Sequence, residues 1–537
     1  MDYKNKYLKY KDKYRHTKNK LSLINIITTS LNLEQDVKLV SCVDNIKFIL
    51  NIDKIIEILK NYPLDFASPL EKYMINLNLN ENAFIMNCIN QNHQENLLLN
   101  IYFTIGNEYS LESIYFNKIY ENLDLFEQIE INMIKRLDKM IADNTLSKFY
   151  NIDVIVKWKH TIINKPVEKE NYFKVSKLSQ AEKEKIWEKY LTVWDKFIKS
   201  CLKVKEHLDK IEKFYQNKQK NEIIGCYNIS KDLYNYCLES HMGLKLDVVK
   251  LEKWALKKLD NLVNNMKKYL KEIDPNIDLN MSHIDLIKKM APEQLYKSKE
   301  EFIEHHQKVV DKYKAKFIDE LGFKLYEDLN LVIFDNKDLA AGYYFNNKFY
   351  LNSFTWKDSY RYLTESLILH EAFPGHHLQV HTSKYNNMKD GLIYSYFELI
   401  SNGFCEGWGL YSENLGYEQT VWDEIGHIEF DILRTLRVIV DIRIHCKGAI
   451  PKEIYQYMKQ YSSLPDGEIM SEVYRYACYP GQAVCYKVGN EIFKKIVQNT
   501  ERNDRIRLYK EIIETGPMPL SFLLDKYKIN KDDLFNT

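Results

Sequence analysis

Three features of this sequence predict a mainly α-helical fold. Gly and Pro are scarce, at 17 and 11 in 537 residues, which leaves few turns and few helix breaks. Apolar residues recur at three- and four-residue spacing over long segments, without β-type alternation. The texture changes only between about 330 and 354, in LVIFDNKDLAAGYYFNNKFYLNSF. There Tyr, Phe, Val and Ile cluster around Asn346-Asn347, as in a small hairpin or edge strand. The expectation is a large multi-helix fold with one small β element just ahead of the segment LILHEAFPGHHLQ.

Taken in order, residues 1–24 place Tyr3, Tyr7, Tyr10, Tyr14 and Leu21 on one helical stripe with Lys around it. That pattern predicts a basic amphipathic head, either a docking helix or an assembly tag. Similar Tyr/Lys heads resemble the starts of proteins from large DNA viruses, which implies virion association. Residues 25–165 carry helical patterns broken at Pro63 and Pro69 and no polar cluster with evident chemistry, so they read as an N-terminal helical lobe. Residues 166–537 carry the longest patterns, among them LDVVKLEKWALKKLDNLVNNMKKYLKEI ending near Pro275, and read as the lobe that holds the site. No Gly/Ser-rich or Pro-rich linker separates the two.

Composition narrows the function. Lys plus Arg (76) and Asp plus Glu (75) nearly cancel, so no global field draws the chain to nucleic acid or to an acidic membrane surface. Nine cysteines, an odd number without a C-x-x-C pair, argue against a disulfide framework and for a reducing compartment. With no apolar signal region and no apolar run of about 18 residues, an intracellular, cytoplasmic protein is expected.

The chemistry concentrates in His370-Glu371-Ala372-Phe373-Pro374-Gly375-His376-His377. Many zinc peptidases place two His four residues apart on one helix, with an adjacent Glu to activate water. Here the spacing is longer. On a straight helix, six residues turn His376 roughly 240° away from His370, and seven carry His377 roughly 10 Å along the axis. Pro374 lacks the N–H that would bond the His370 carbonyl, and Gly375 tolerates positive φ, so a break is expected where convergence needs one. Deleting Pro-Gly restores H-E-x-x-H with His376, which ranks His376 ahead of His377 as second metal ligand and leaves His377 as a supporting or substrate-contacting residue. The third ligand is expected from CEGWGLYSENLG, with Glu406 first and Glu413 as fallback.

At these residues the chain resembles the domain-of-unknown-function 885 family, whose members carry HEAxPGHHLQ followed by an EGWALY-like segment and are grouped with gluzincin-type metallopeptidases. The likeness continues through LRTLRVIVDIRIHCKG, EVYRYACYPGQAVCYKVG and TGPMPLSFLL, with Gly409 standing where alanine is usual. The resemblance implies a mainly helical, gluzincin-like fold with a deep cleft, one zinc per chain on the motif histidines and glutamate, and hydrolysis of peptide-like bonds.

On that reading Glu371 is the general base, and Tyr476 is the first choice for the donor to the oxyanion. Arg475, Tyr486, His445 and Asn352 are candidate substrate contacts, and the strand around Asn352 can pair with an extended peptide. Two alternatives remain: a zinc hydrolase of a non-peptide amide or ester, and an inactive scaffold that uses its Tyr/Lys head for assembly. Whether cleavage is internal or carboxy-terminal stays open at this level.

Overall fold

The computed structural model describes residues 178–217, 231–335, 341–345, 347–386, 401–478 and 480–536, with scattered positions between 119 and 173. The chain divides into two compact units, Met1–Asn228 and Ile229–Thr537. The Tyr/Lys head at 1–24 and the boundary expected at 165/166 lie outside the described residues.

In the first unit, helix α1 (Gln180–Asn217) starts at Ser179. The Ser179 hydroxyl accepts from Glu182 N while Glu182 Oε2 accepts from Ser179 N, a reciprocal cap that satisfies two otherwise unpaired donors. Trp187, Tyr190, Trp194 and Phe197 follow at three- and four-residue spacing and stack in sequence, with ring centroids 4.7, 5.8 and 5.6 Å apart. This aromatic stripe is core packing, as the spacing predicts.

The second unit is mainly helical with one small sheet. Its frame is the pair α3 (Val248–Ile273) and α9 (Val421–Lys447), which pack on each other. Asp247 caps α3 by accepting from Val249 N and Lys250 N, and Leu251, Ala255, Leu259, Leu262, Met266 and Leu270 form its buried stripe. Each leucine so buried contributes about 1.5–3 kcal/mol relative to exposure. α9 opens with a Thr420–Asp423 capping box and ends at Gly448 in the left-handed region, and nearly its whole central length is buried.

The other elements that matter to the site are α2 (Lys231–Met242), α6 (Thr364–Glu371), α7 (His376–Asn386), α8 (Asn402–Ser412), α11 (Asp466–Cys478) and α12 (Gln482–Gln498). Helices α4 (His283–Met290), α5 (Lys299–Lys314), α10 (Pro451–Lys459), α13 (Arg505–Thr515) and α14 (Leu520–Lys526) complete the surround. α8 and α12 meet backbone to backbone. A Cβ on Gly489 would lie 1.9 Å from Gly403 O, and one on Gly407 would lie 2.5 Å from Gly489 Cα, so glycine is required for the approach.

Strands β1 (Asn330–Phe334), β2 (Gly342–Phe345) and β3 (Lys348–Asn352) form a sheet of order β1-β3-β2. β2 and β3 make the expected hairpin, in the register Tyr343↔Tyr350, turning through Asn347 at φ 62°. β1 joins β3 in parallel, with Val332 opposite Tyr350. The sequence reading did not separate that third strand from the hairpin. Among the described residues no helix is long and apolar enough to cross a membrane.

Candidate metal centre

The break between α6 and α7 builds the site. α6 ends with Ala372 N donating to Ile368 O at 2.8 Å, and α7 restarts at His376 with Gln379 N donating to Gly375 O at 2.9 Å. The Phe373–Pro374 peptide is cis. Glycine is needed at 375 for a reason other than the expected positive φ: a Cβ there would stand 1.8 Å from His370 O and 2.3 Å from Leu369 O. The chain folds straight back over the last turn of α6, and only a residue without a side chain fits.

Two bonds fix α8 against this turn. Trp408 Nε1 donates to Pro374 O at 2.9 Å, and Ser412 Oγ donates to Leu369 O at 2.6 Å. Glu406, six residues before Ser412 on the same helix, is thereby brought to the two histidines. Its Oε2 lies 3.7 Å from His370 Nε2 and 3.3 Å from His376 Nε2, and one ligand atom from each of the three residues falls within a 4.8 Å group. The imidazole planes of His370 and His376 cross at 89° with centroids 4.8 Å apart. Tetrahedral zinc with bonds of about 2.0–2.2 Å sets its donors about 3.3–3.6 Å from one another. The donor set fits such an ion in type, and the two distances from Glu406 lie close to that range.

The surroundings prepare His370 further. Its Nδ1 is hydrogen-bonded to Glu413 Oε1 at 2.8 Å, so Nδ1 carries a proton and Nε2 is the nitrogen that faces Glu406. Burial alone would lower the His370 pKa, but Glu406 and Glu413 outweigh it and raise the value to about 9. Burial likewise opposes ionisation of Glu406, and the two imidazoles reverse it, holding the carboxyl well below its ordinary range. Glu413 is itself flanked by Arg434 Nη2 at 3.7 Å and His427 Nδ1 at 3.9 Å. Gly409 leaves the space beside the rings open: a Cβ there would lie 2.9 Å from both His370 Nε2 and His376 Cε1.

Glu371 ends α6 with its Oε2 accepting from Tyr344 N at 2.9 Å, so the backbone of edge strand β2 faces the carboxylate beside the cluster. His377 points elsewhere. It is buried, with Nε2 on Glu327 O at 3.2 Å and its ring stacked on His381 at 5.6 Å, and burial pushes its pKa down to about 4. Of the two histidines left open by the sequence, the structure brings His376 to the cluster.

The remaining candidates separate. Tyr486 on α12 lies near-parallel to the His370 ring at 6.2 Å, and burial, followed by Glu406, raises its phenol to about 12. Tyr476 is buried with its hydroxyl donating to Glu472 and accepting from Arg437 Nε at 3.0 Å. The phenol recorded against the histidines is therefore Tyr486. His445 is also buried, with Nε2 on Tyr476 O at 3.0 Å, and burial lowers its pKa to about 4. Asn352 accepts from Phe354 N at 3.2 Å and caps the turn after β3. Arg475 donates twice to Glu472 and once to Gln482.

Sequence reasoning passed over Arg434, Arg437 and His427. Arginines inside the apolar run LRTLRVIVDIR were the available signal, since buried guanidinium groups require partners.

Fold and cluster together define a mainly helical protein with a His/His/Glu cluster, able to hold a metal ion, assembled across a broken helix. Residues 116–526 match DUF885, described as bacterial protein of unknown function, and the chain belongs to that family. No functionally curated protein matches the chain. Among solved structures, a candidate lipoprotein from Colwellia psychrerythraea shares the fold at a TM-score of 0.75 and 15% identity, over 96% of each chain. A candidate lipoprotein of unknown function from Shewanella oneidensis shares it at 0.61 and 13%, over 95% of this chain and 99% of that one.

Proposed function

We propose that this chain is a zinc-dependent hydrolase of peptide bonds, of gluzincin type. The observation that carries the reading is the convergence of His370, His376 and Glu406 within 4.8 Å, with Glu371 next in the chain. Those three side chains would hold a zinc ion, which would supply Lewis acidity to a water and to the scissile carbonyl. Glu371 takes the proton from the attacking water and returns it to the leaving nitrogen, so water adds across the C–N bond and an acid and an amine depart. Tyr344 N–H orients that carboxylate. Tyr486, kept protonated by its raised pKa, donates to the developing oxyanion, the role expected of Tyr476 from sequence.

Strand β2 supports a peptide substrate over a non-peptide amide or ester. It stands at the sheet edge with Tyr344 N–H turned toward Glu371, and an extended chain adds to such an edge through backbone hydrogen bonds. A reducing, cytoplasmic setting belongs to the same reading and is supported by the free thiols of Cys237, Cys405, Cys446 and Cys485.

The test is elemental analysis of protein purified without a metal-affinity tag, together with peptide hydrolysis. One zinc per chain is expected in the wild type, lost in His370→Ala and Glu406→Ala. Glu371→Gln is expected to keep its zinc and lose hydrolysis by at least about 100-fold. A wild type that neither contains nor takes up zinc sinks the reading.

A further inference from the structure

Behind Tyr486 the structure holds more positive charge than it neutralises. Arg437 Nη2 lies 2.9 Å from Glu472 Oε2, and Arg475 Nη2 lies 3.0 Å from the same oxygen. Among the described residues Glu472 is the only carboxylate within ion-pair distance of either guanidinium, so two cations share one anion. Glu472 is correspondingly held far below its ordinary range: burial opposes this, and Arg475 and Arg437 override it. The next acid on α11, Glu468, is pushed up to about 7 by burial and by Glu472, which limits the counter-charge it supplies.

Arg437 is nine-tenths buried, with 9% of its side chain exposed. It uses Nε on the Tyr476 hydroxyl and Nη2 on Glu472, which leaves Nη1 without a hydrogen-bond partner among the described residues. Arg475 is more open, at 29%. Nη1 is not among the fully buried polar atoms, so it stays open to an incoming anion, and a guanidinium with unused N–H groups binds two carboxylate oxygens well.

The pair also sits at a defined reach from the cluster. The Arg437 guanidinium lies 4.5 Å from the Tyr486 ring centroid, and that ring lies 6.2 Å from the His370 ring. The sum of those two steps is the longest the gap can be. It corresponds to at most about three extended residues at about 3.3–3.6 Å each, and to fewer once a hydrogen bond is allowed at either end.

We propose that Arg437 and Arg475 bind the C-terminal carboxylate of the substrate, so that one or two residues are removed from the free carboxyl end of a peptide; this rests on the hydrolase reading above. Glu472 and Tyr476 position the two guanidinium groups. Tyr486 forms the wall between the carboxylate pocket and the bond to be cut.

The experiment is equilibrium dialysis of the Glu371→Gln protein against an equimolar library of N-acetylated tripeptides and tetrapeptides. Each sequence is present both as free acid and as C-terminal amide, and retention is read by mass spectrometry. The expected result is at least tenfold enrichment of acids over amides. That enrichment is lost when Arg475→Gln is added and partly kept with Arg475→Lys, at unchanged zinc content and melting temperature. The acid–amide comparison needs no pocket variant, so a misfolded variant does not remove the test. Equal retention of acids and amides, or retention of neither, overturns the pocket. Selective retention of acids combined with no cleavage by wild type would leave the pocket standing and remove the hydrolase reading. Cleavage without preference for free acids does the reverse.

Discussion

Substituting Gly489 by alanine tests whether the α8–α12 contact is what delivers Glu406 to the histidines. The new Cβ would meet Gly403 O at 1.9 Å and Gly407 Cα at 2.7 Å, where methyl carbons essentially never come within 3.0 Å of such atoms. Both neighbours are backbone, so no side chain can swing aside, and α8 must move by about 1 Å or more. Zinc ligation tolerates only about ±0.2 Å in each bond, so a displacement of that size takes Glu406 out of the ligand set. We expect zinc affinity to fall by at least about 100-fold, since even losing a supporting contact costs 10–100-fold. Overpacking of this kind costs about 1–3 kcal/mol, or roughly 2–6 °C in melting temperature. The comparison is Gly467→Ala on α11, where a Cβ has nothing within 4 Å. That change should leave zinc binding intact and stabilise the helix by about 0.5–1 kcal/mol. Titration with a chromophoric zinc chelator and calorimetric melting of both variants decide the matter. A Gly489→Ala protein with stoichiometric zinc and wild-type melting would refute the argument that this contact sets the ligand geometry.

Two further outcomes follow from the same structure. Glu413→Gln keeps the shape of the residue but removes the charge that holds His370 Nδ1, and should weaken zinc binding by about 10–100-fold while leaving secondary structure unchanged by circular dichroism; unaltered affinity would show that Glu413 does not orient the ligand. Acid should destabilise the metal-free protein through His241, His306 and His445, which burial holds neutral with pKa values of about 4 against about 6.5 unfolded. The unfolded chain binds the extra protons, so this stability is complete above pH ~6.5 and is lost as pH falls toward about 4, at on the order of 2 kcal/mol per histidine by pH ~5. His370, raised to about 9 without metal, acts in the opposite sense, complete below about 6.5 and lost as pH rises through 9. Glu429, Asp441 and Glu468, which burial raises to about 7, also act in the opposite sense, so the histidine contribution is read as the difference between wild type and a His306→Gln variant. A His306→Gln protein that loses as much stability as wild type in urea between pH ~7 and pH ~5 would contradict this assignment.

Much of the site could be read from the sequence because its parts are local. His370, Glu371, Pro374, Gly375 and His376 lie within one short segment, and helical geometry alone shows that the segment must break for the histidines to meet. The helix starts at Asp247 and Thr420 rest on equally local capping chemistry, although the sequence reading did not place them. Long-range placement was not legible. Tyr476 and Tyr486 look alike in sequence, and only the packing of α11 and α12 shows that one hydroxyl is taken up by Glu472 and Arg437 while the other ring lies against His370. Glycine at 375 was identifiable as necessary, but the reason, contact with the carbonyl of His370, exists only after the chain has folded back.

The α3–α9 pair carries a consequence for how the protein is made. The apolar stripe of Leu251, Leu259, Leu262 and Leu270 is covered by a helix that begins at Val421 and ends at Lys447. At translation rates of about 5–20 residues per second, the ribosome takes roughly 10–35 s to travel from the end of one helix to the end of the other. Throughout that interval the stripe lacks its main partner, with α4 beside it, and the loop to be closed is long. Newly made chains therefore carry an incompletely covered apolar stripe at α3, and a chaperone that binds extended or helical apolar segments has a target there before α9 emerges.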